Sequence, residues 1–290
     1  MINYGILSGG VMLSVGQSLA SKQYVVQTAD RKDSEYFYNF IMSSSRLILF
    51  AVWISFGFHF DWTTFLFAIG FAVGACLNQI GGLLATKNGP LSLTNLLIQL
   101  SLIIPILYGF IFWDEQITPL SIIGLVLVIV ALFFILKQNK DKPKENKISL
   151  KWLIAVLVSV GGNAFAVIVQ KQQQIVCNGQ YMQTLLFFSS AFVFAYFFIV
   201  YLLRCKRCDN RSLLKHAYLP CAGGLCNGGV NITTMFLATR LSSQIVYPIL
   251  ALCSIILTQI AATFLYRERL TKWQAVGLLL GTVAIVLLNI

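Results

Sequence analysis

The residues able to do chemistry in this chain are few and unevenly placed. Its ten carboxylates are Asp30, Asp33, Glu35, Asp61, Asp114, Glu115, Asp141, Glu145, Asp209 and Glu268. All of them fall between, or at the ends of, long apolar runs, and none falls at the middle of one. Acids inside a membrane are the usual proton relays and cation partners of pumps, so their placement here argues against a cation–proton exchanger. One cation stands inside an apolar run: Arg46, after Ser43, Ser44 and Ser45. Inserting arginine in a membrane costs roughly 3 kcal/mol or more. Arg46 therefore either snorkels toward the water boundary or holds a substrate carboxylate or phosphate. The same choice applies to Lys22-Gln23 and Lys171-Gln172, with anchoring the default.

Uncharged amides are more numerous. Asn78, Gln79, Asn231, Gln17, Asn163, Gln244 and Gln259 lie within apolar runs, with Tyr247 beside them. Asn95 and Gln99 are four apart and share one helical face. An amide in hydrocarbon must find a partner, so each either bonds a neighbouring helix or faces a wet cavity. Metal and redox chemistry find less support. Cys205 and Cys208 have metal-like spacing but no second pair nearby, and the chain has only two histidines, His59 and His216. No metal site, cofactor, nucleotide-binding P-loop or catalytic pair is expected, and the chain reads as no enzyme.

The elements that position these groups follow from composition. The 290 residues are 58% hydrophobic and 11% charged, with mean hydropathy +0.79. Soluble domains carry about 25% charged residues. Runs such as Leu120–Leu136 are continuously apolar rather than alternating, which favours helices over a β-barrel. At roughly 20 residues per span, the chain divides into ten candidate helices: 3–27, 35–58, 62–86, 89–112, 118–137, 151–175, 180–203, 213–238, 241–265 and 271–290. An all-α, multi-pass protein of the cell (plasma or inner) membrane is expected, with the lipid bilayer as its main partner. The first span lacks a basic leader and is expected to remain in the mature protein.

Numbering the spans in order places 17 of the 21 Lys and Arg on one side, in the connections near Arg31, Lys87, Lys137–Lys151, Arg204–Lys215 and Arg267–Lys272. Basic loops mark the cytoplasm, so both termini are expected outside. The net charge of +11 is read as topology, not as affinity for nucleic acid.

The stretch from Gly74 can be laid on the stretch from Asn227 without a gap, at an offset of 153 residues. Asn78 then meets Asn231, Ala85-Thr-Lys87 meets Ala238-Thr-Arg240, Ser101 meets Ser254, Glu115 meets Glu268, Thr118 meets Thr271 and Gly124 meets Gly277. Two five-span repeats, 1–137 and 151–290 with the basic linker 138–150 between them, must be inverted relative to one another because five is odd. Inverted repeats recur in secondary transporters, where a site between two near-equivalent halves opens alternately to each side. Pro105 and Pro248 interrupt the fourth and ninth spans, as hinges or as static kinks. Thr118 and Thr271 are expected to cap the helices they begin, with the charge of Glu115 and Glu268 suiting the same N-termini. Gly277 and Gly281 could mark a homodimer face, with packing inside one chain the default.

Trp113-Asp-Glu-Gln-Ile-Thr118 followed by Gly124, and Tyr266-Arg-Glu-Arg-Leu-Thr271 followed by Gly277, resemble the repeat endings of EamA-like permeases of the drug/metabolite transporter superfamily. Arg46 resembles that family's second-span arginine. The resemblance implies ten helices as two inverted five-helix repeats around a central cavity, lined by the first, third, fourth, sixth, eighth and ninth helices. On that basis Asn78, Asn95, Gln99, Asn231, Gln244, Tyr247 and Arg46 are the candidate substrate contacts. The expected function is a permease for a small neutral, zwitterionic or anionic metabolite such as an amino acid. A lipid-carrier flippase and a non-transporting scaffold or sensor are the alternatives.

Overall fold

In a computed structural model, every described element of the chain is an α-helix. The structure describes residues 2–28, 34–88, 97–98, 101–116, 118–136, 150–204, 213–266 and 272–288. Ten helices are described: α1 (Ile2–Gln27), α2 (Ser34–Ile54), α3 (Trp62–Asn88), α4 (Ile103–Phe112), α5 (Pro119–Leu136), α6 (Leu150–Val176), α7 (Met182–Arg204), α8 (Tyr218–Leu237), α9 (Ser243–Tyr266) and α10 (Lys272–Leu288). Most follow the apolar runs closely, but the helix Ile103–Phe112 covers only the later part of the expected span 89–112. Four stretches are long and apolar enough to cross a membrane: Ser34–Ile54, Trp62–Gly82, Leu150–Val176 and Met182–Arg204. Shorter apolar stretches are Ile103–Phe112, Pro119–Ala131, Ser243–Thr258 and Ala275–Ala284.

Local chemistry sets several boundaries. Asp61 precedes α3 and accepts the Thr64 N–H at 2.6 Å, a side-chain cap for an otherwise orphaned donor. Thr118 accepts the Ser121 N–H at 3.0 Å, with Pro119 at the first helical position, where proline loses no bond. The end of α6 is a Schellman turn: Gly179 N–H reaches Gln174 O at 2.7 Å and Asn178 N–H reaches Ile175 O. That turn needs a left-handed residue, supplied by Asn178 at φ 50.

The chain forms two compact units, 1–72 with 171–239 and 73–170 with 240–290, and the divisions fall inside α3 and α6. In unit 1, α1 packs on α8, α2 on α7 and α2 on α8. Its core gathers Phe50, Ala68, Leu185, Leu186 and Met235, flanked by Trp53 and Ile232. In unit 2, α5 packs on α10 and α4 on α9. Ala85, Trp152, Ala155 and Val156 are buried together there. Large apolar side chains also face outward, among them Ile48, Val52, Leu66, Ile122, Val126 and Leu157. A surface of this kind suits a lipid environment, since lipid tails are as apolar as these side chains.

Candidate functional site

The polar residues gather into three constellations, each inside one unit. In unit 1, Arg46 stands twelve residues into α2 and is 5% exposed. Its Nη1 donates to Asn227 Oδ1 of α8 at 2.9 Å. Asn227 Nδ2 donates in turn to Gln17 Oε1 of α1 at 3.4 Å, and Asn231 Nδ2 donates to Asn227 O at 2.8 Å and to its Oδ1 at 3.2 Å. The guanidinium is therefore turned into the α1–α2–α8 bundle rather than out along its surface. Neither α1 nor α8 contains an Asp or Glu, and Glu35 of α2 is three turns away, about 16 Å along the helix. A buried cation among amides offers an electropositive, hydrogen-bonding environment suited to a carboxylate or phosphate oxygen.

The second constellation lies in unit 2, where α3 and α6 cross. Asn78 Nδ2 donates to Asn163 Oδ1 at 3.2 Å, and Asn163 Nδ2 donates to Ser101 Oγ at 2.7 Å. Ser159 Oγ lies 2.8 Å from Asn78 Oδ1 and 3.0 Å from Asn78 O. The Asn78–Asn163 and Asn78–Ser159 bonds run from helix to helix. The crossing is close because it is made by glycines. A Cβ at Gly162 would meet Asn78 N at 2.6 Å and Gly74 O at 2.7 Å, and one at Gly81 would meet Ser159 N at 2.5 Å.

In the third constellation, also in unit 2, Thr118 caps the helix it begins, as expected. Glu115 serves a different helix from the expected one: both carboxylate oxygens lie 3.0 Å from the Ser243 N–H, at the start of α9. The acidic charge still suits a helix N-terminus, but of a helix 128 residues away. Gln244 Nε2 donates to Gln116 O at 3.4 Å, while its Oε1 is buried with no hydrogen-bond partner among the described residues. Tyr247, one turn on, is buried. Pro248 lies within α9 and leaves the Gln244 carbonyl without its usual i+4 donor. Pro105 stands in the first turn of α4 as described.

Of the sequence-derived contacts, Arg46 and Asn231 come together, Gln244 and Tyr247 come together, and Asn78 stands in its own network. Asn95 and Gln99 lie outside the described residues, as do Glu268, Cys205, Cys208 and the 138–149 part of the linker. Sequence reasoning missed Asn227 and Ser159. Asn227 had a signal in its placement one turn before Asn231, which puts both amides on one face.

No family model matches the chain, and no curated protein matches it significantly. A solved structure described only as "Crystal structure of protein" superposes on 97% of this chain and 94% of its own, with a TM-score of 0.73 at 12% identity. That likeness shows a shared fold over nearly the whole length of both chains.

Proposed function

We propose that the chain is a multi-pass permease of the cell membrane, resembling the EamA-like drug/metabolite transporters, that moves a small neutral, zwitterionic or anionic metabolite by alternating access. The observation that carries this reading is the Arg46 guanidinium, buried within an apolar helix and bonded to Asn227. A guanidinium in such a place can give charge-assisted hydrogen bonds to a substrate carboxylate or phosphate. The guanidinium favours the zwitterionic and anionic members of the class.

The inverted duplication finds support in the pairing of helices. An offset of 153 makes α5 the counterpart of α10 and α4 that of α9, and span order makes α2 that of α7. Within the units, α5 packs on α10, α4 on α9 and α2 on α7. Self-pairing of equivalent elements is what a local two-fold relation produces, because an isologous interface uses the same patch twice. Ten spans cross the bilayer in this reading, and inverted halves supply the two near-equivalent states that alternating access needs.

The test is uptake into proteoliposomes of metabolites first found to raise the unfolding temperature of the purified protein. Arg46→Met is expected to abolish saturable uptake of a carboxylate- or phosphate-bearing ligand. Stabilising ligands that are never transported would favour the non-transporting alternative.

A further inference from the structure

A cavity of about 490 Å³ lies at one end of unit 1, where α2 stops, α7 begins and the last turns of α8 pass. Its half-buried walls come from Trp53, Tyr181, Met182, Ile232 and Phe236, with His59 exposed at its rim. Among the described residues no Asp, Glu, Lys or Arg lines it, and none of its lining residues belongs to the Arg46 constellation. The volume is that of small-molecule sites, roughly 300–1,000 Å³.

The cavity wall is held by specific bonds. With its amide set to satisfy both neighbours, Gln183 donates to Gly57 O at 2.8 Å and accepts the Trp53 indole N–H at 3.1 Å. Thr184 Oγ1 donates to His59 O at 2.7 Å, tying the segment after α2 to the first turn of α7. The opposite rim is the 177–181 turn, where Tyr181 adopts φ 58. A left-handed conformation costs a non-glycine residue about 1–2 kcal/mol. Two wholly buried amides support that turn: Gln173 Nε2 and Gln174 Nε2 donate to Gln180 O at 3.2 and 3.5 Å. Gln173 also donates to Thr64 Oγ1 at 3.1 Å, which anchors the support in α3. Strain of this kind persists only where the surroundings over-determine it, and it gathers at ligand sites.

We propose that this cavity binds a small, uncharged aromatic or heteroaromatic molecule. Flat faces from Trp53, Tyr181 and Phe236, with the adaptable thioether of Met182, suit a ring. Tyr181 and His59, both lining residues, carry hydrogen-bonding groups suited to a ring heteroatom. A charged ligand would lose hydration there against no opposite charge, which selects for neutrality. The site stands independently of the transport reading, because neither argument uses the other's residues.

The test uses 5-fluoroindole as the probe, followed by ¹⁹F NMR with the full-length protein in detergent. Tryptamine and indole-3-acetate serve as cationic and anionic competitors, and indole as the neutral one. Gly57→Leu fills the mouth: a Cβ at Gly57 meets only the end of the Gln183 amide, at 3.6 Å, an ordinary van der Waals contact. Gly161→Leu is the control, since a Cβ there meets nothing within 4 Å and the residue lies outside the cavity. The expected result is saturable binding displaced best by indole, unchanged in Gly161→Leu and weakened at least about tenfold in Gly57→Leu, the loss of ~1.4 kcal/mol of contact. Binding that never saturates, or that survives Gly57→Leu with an unchanged unfolding temperature, would overturn the site. Tighter competition by tryptamine or indole-3-acetate than by indole would overturn the ligand class.

Discussion

Adjacent glycines in α6 should respond to the same substitution with opposite signs. At Gly161 a new Cβ meets nothing within 4 Å. Gly161→Ala then gains only helix propensity, about 0.8–1.0 kcal/mol. At Gly162 the same Cβ would meet Asn78 N at 2.6 Å and Gly74 O at 2.7 Å, both backbone atoms of α3 that no rotamer change can move. Ordinary contact begins at 3.4 Å, so the two helices must part by about 0.8 Å. An opening of that size forfeits roughly a quarter to a half of the dispersion attraction across the crossing. It also stretches the 3.2 Å Asn78–Asn163 bond beyond hydrogen-bonding range, a loss of about 0.6 kcal/mol for a bond between membrane helices. Overpacking costs of about 1–3 kcal/mol and the lost bond, less the propensity gain, leave Gly162→Ala destabilised by ~1–3 kcal/mol. Thermal unfolding in one detergent should place Gly162→Ala about 3–8 °C below the parent and Gly161→Ala about 2–4 °C above it. Gly162→Ala unfolding at or above the parent temperature would refute the close crossing itself.

Three further outcomes follow from the other constellations. Asn227→Leu removes the amide that accepts from Arg46 and should cost about 1–3 kcal/mol in thermal unfolding, with Arg46→Met in the same background restoring part of the loss. Glu115→Ala leaves the first turn of α9 without its cap, a loss of about 0.5–2 kcal/mol, and hydrogen exchange should rise at Ser243 and Gln244 while staying unchanged in α7. Asn178→Gly relieves a left-handed residue and should raise the unfolding temperature by the equivalent of about 1 kcal/mol or less; a fall would mean that the Asn178 side chain carries a contact of its own.

Helix positions were legible because lipid-length apolar runs leave few alternatives: the expected spans 62–86, 151–175 and 180–203 became 62–88, 150–176 and 182–204. The second helix ends at Ile54 rather than near 58, because hydrophobicity alone carried the span on through Phe56 and Phe58 while the backbone turns at Ser55 and Phe56. Caps made by neighbours could also be read, as at Thr118. The partner of Glu115 could not, since nothing in the spacing of a sequence ties residue 115 to residue 243. The amides were found by type, yet type does not separate a substrate contact from a helix-to-helix bond. Asn78 and Asn231 match in the repeat and behave differently: Asn78 bonds the neighbouring α6, while Asn231 donates to Asn227 of its own helix. The Trp53–Gln183 cavity left no sequence trace at all, because its walls come from three separate helices whose residues look like ordinary span-ending aromatics.

The start of α9 brings these threads to a mechanical point. Pro248 removes one backbone bond from the second turn of that helix, and Gln244, whose carbonyl loses it, also carries a buried amide oxygen with no hydrogen-bond partner among the described residues. A turn weakened twice over should fray, yet it is pinned from outside by Glu115 through the Ser243 N–H. Proline looseness and carboxylate restraint therefore act on the same few residues, and removing the restraint should free the first turn without melting the helix beyond Pro248. That makes Glu115→Ala a sharper probe of the hinge reading than any substitution of the proline. If exchange rises evenly along the whole of α9, the proline is a static kink and the cap supports the entire helix; if the rise stops at Pro248, the hinge is where the sequence placed it.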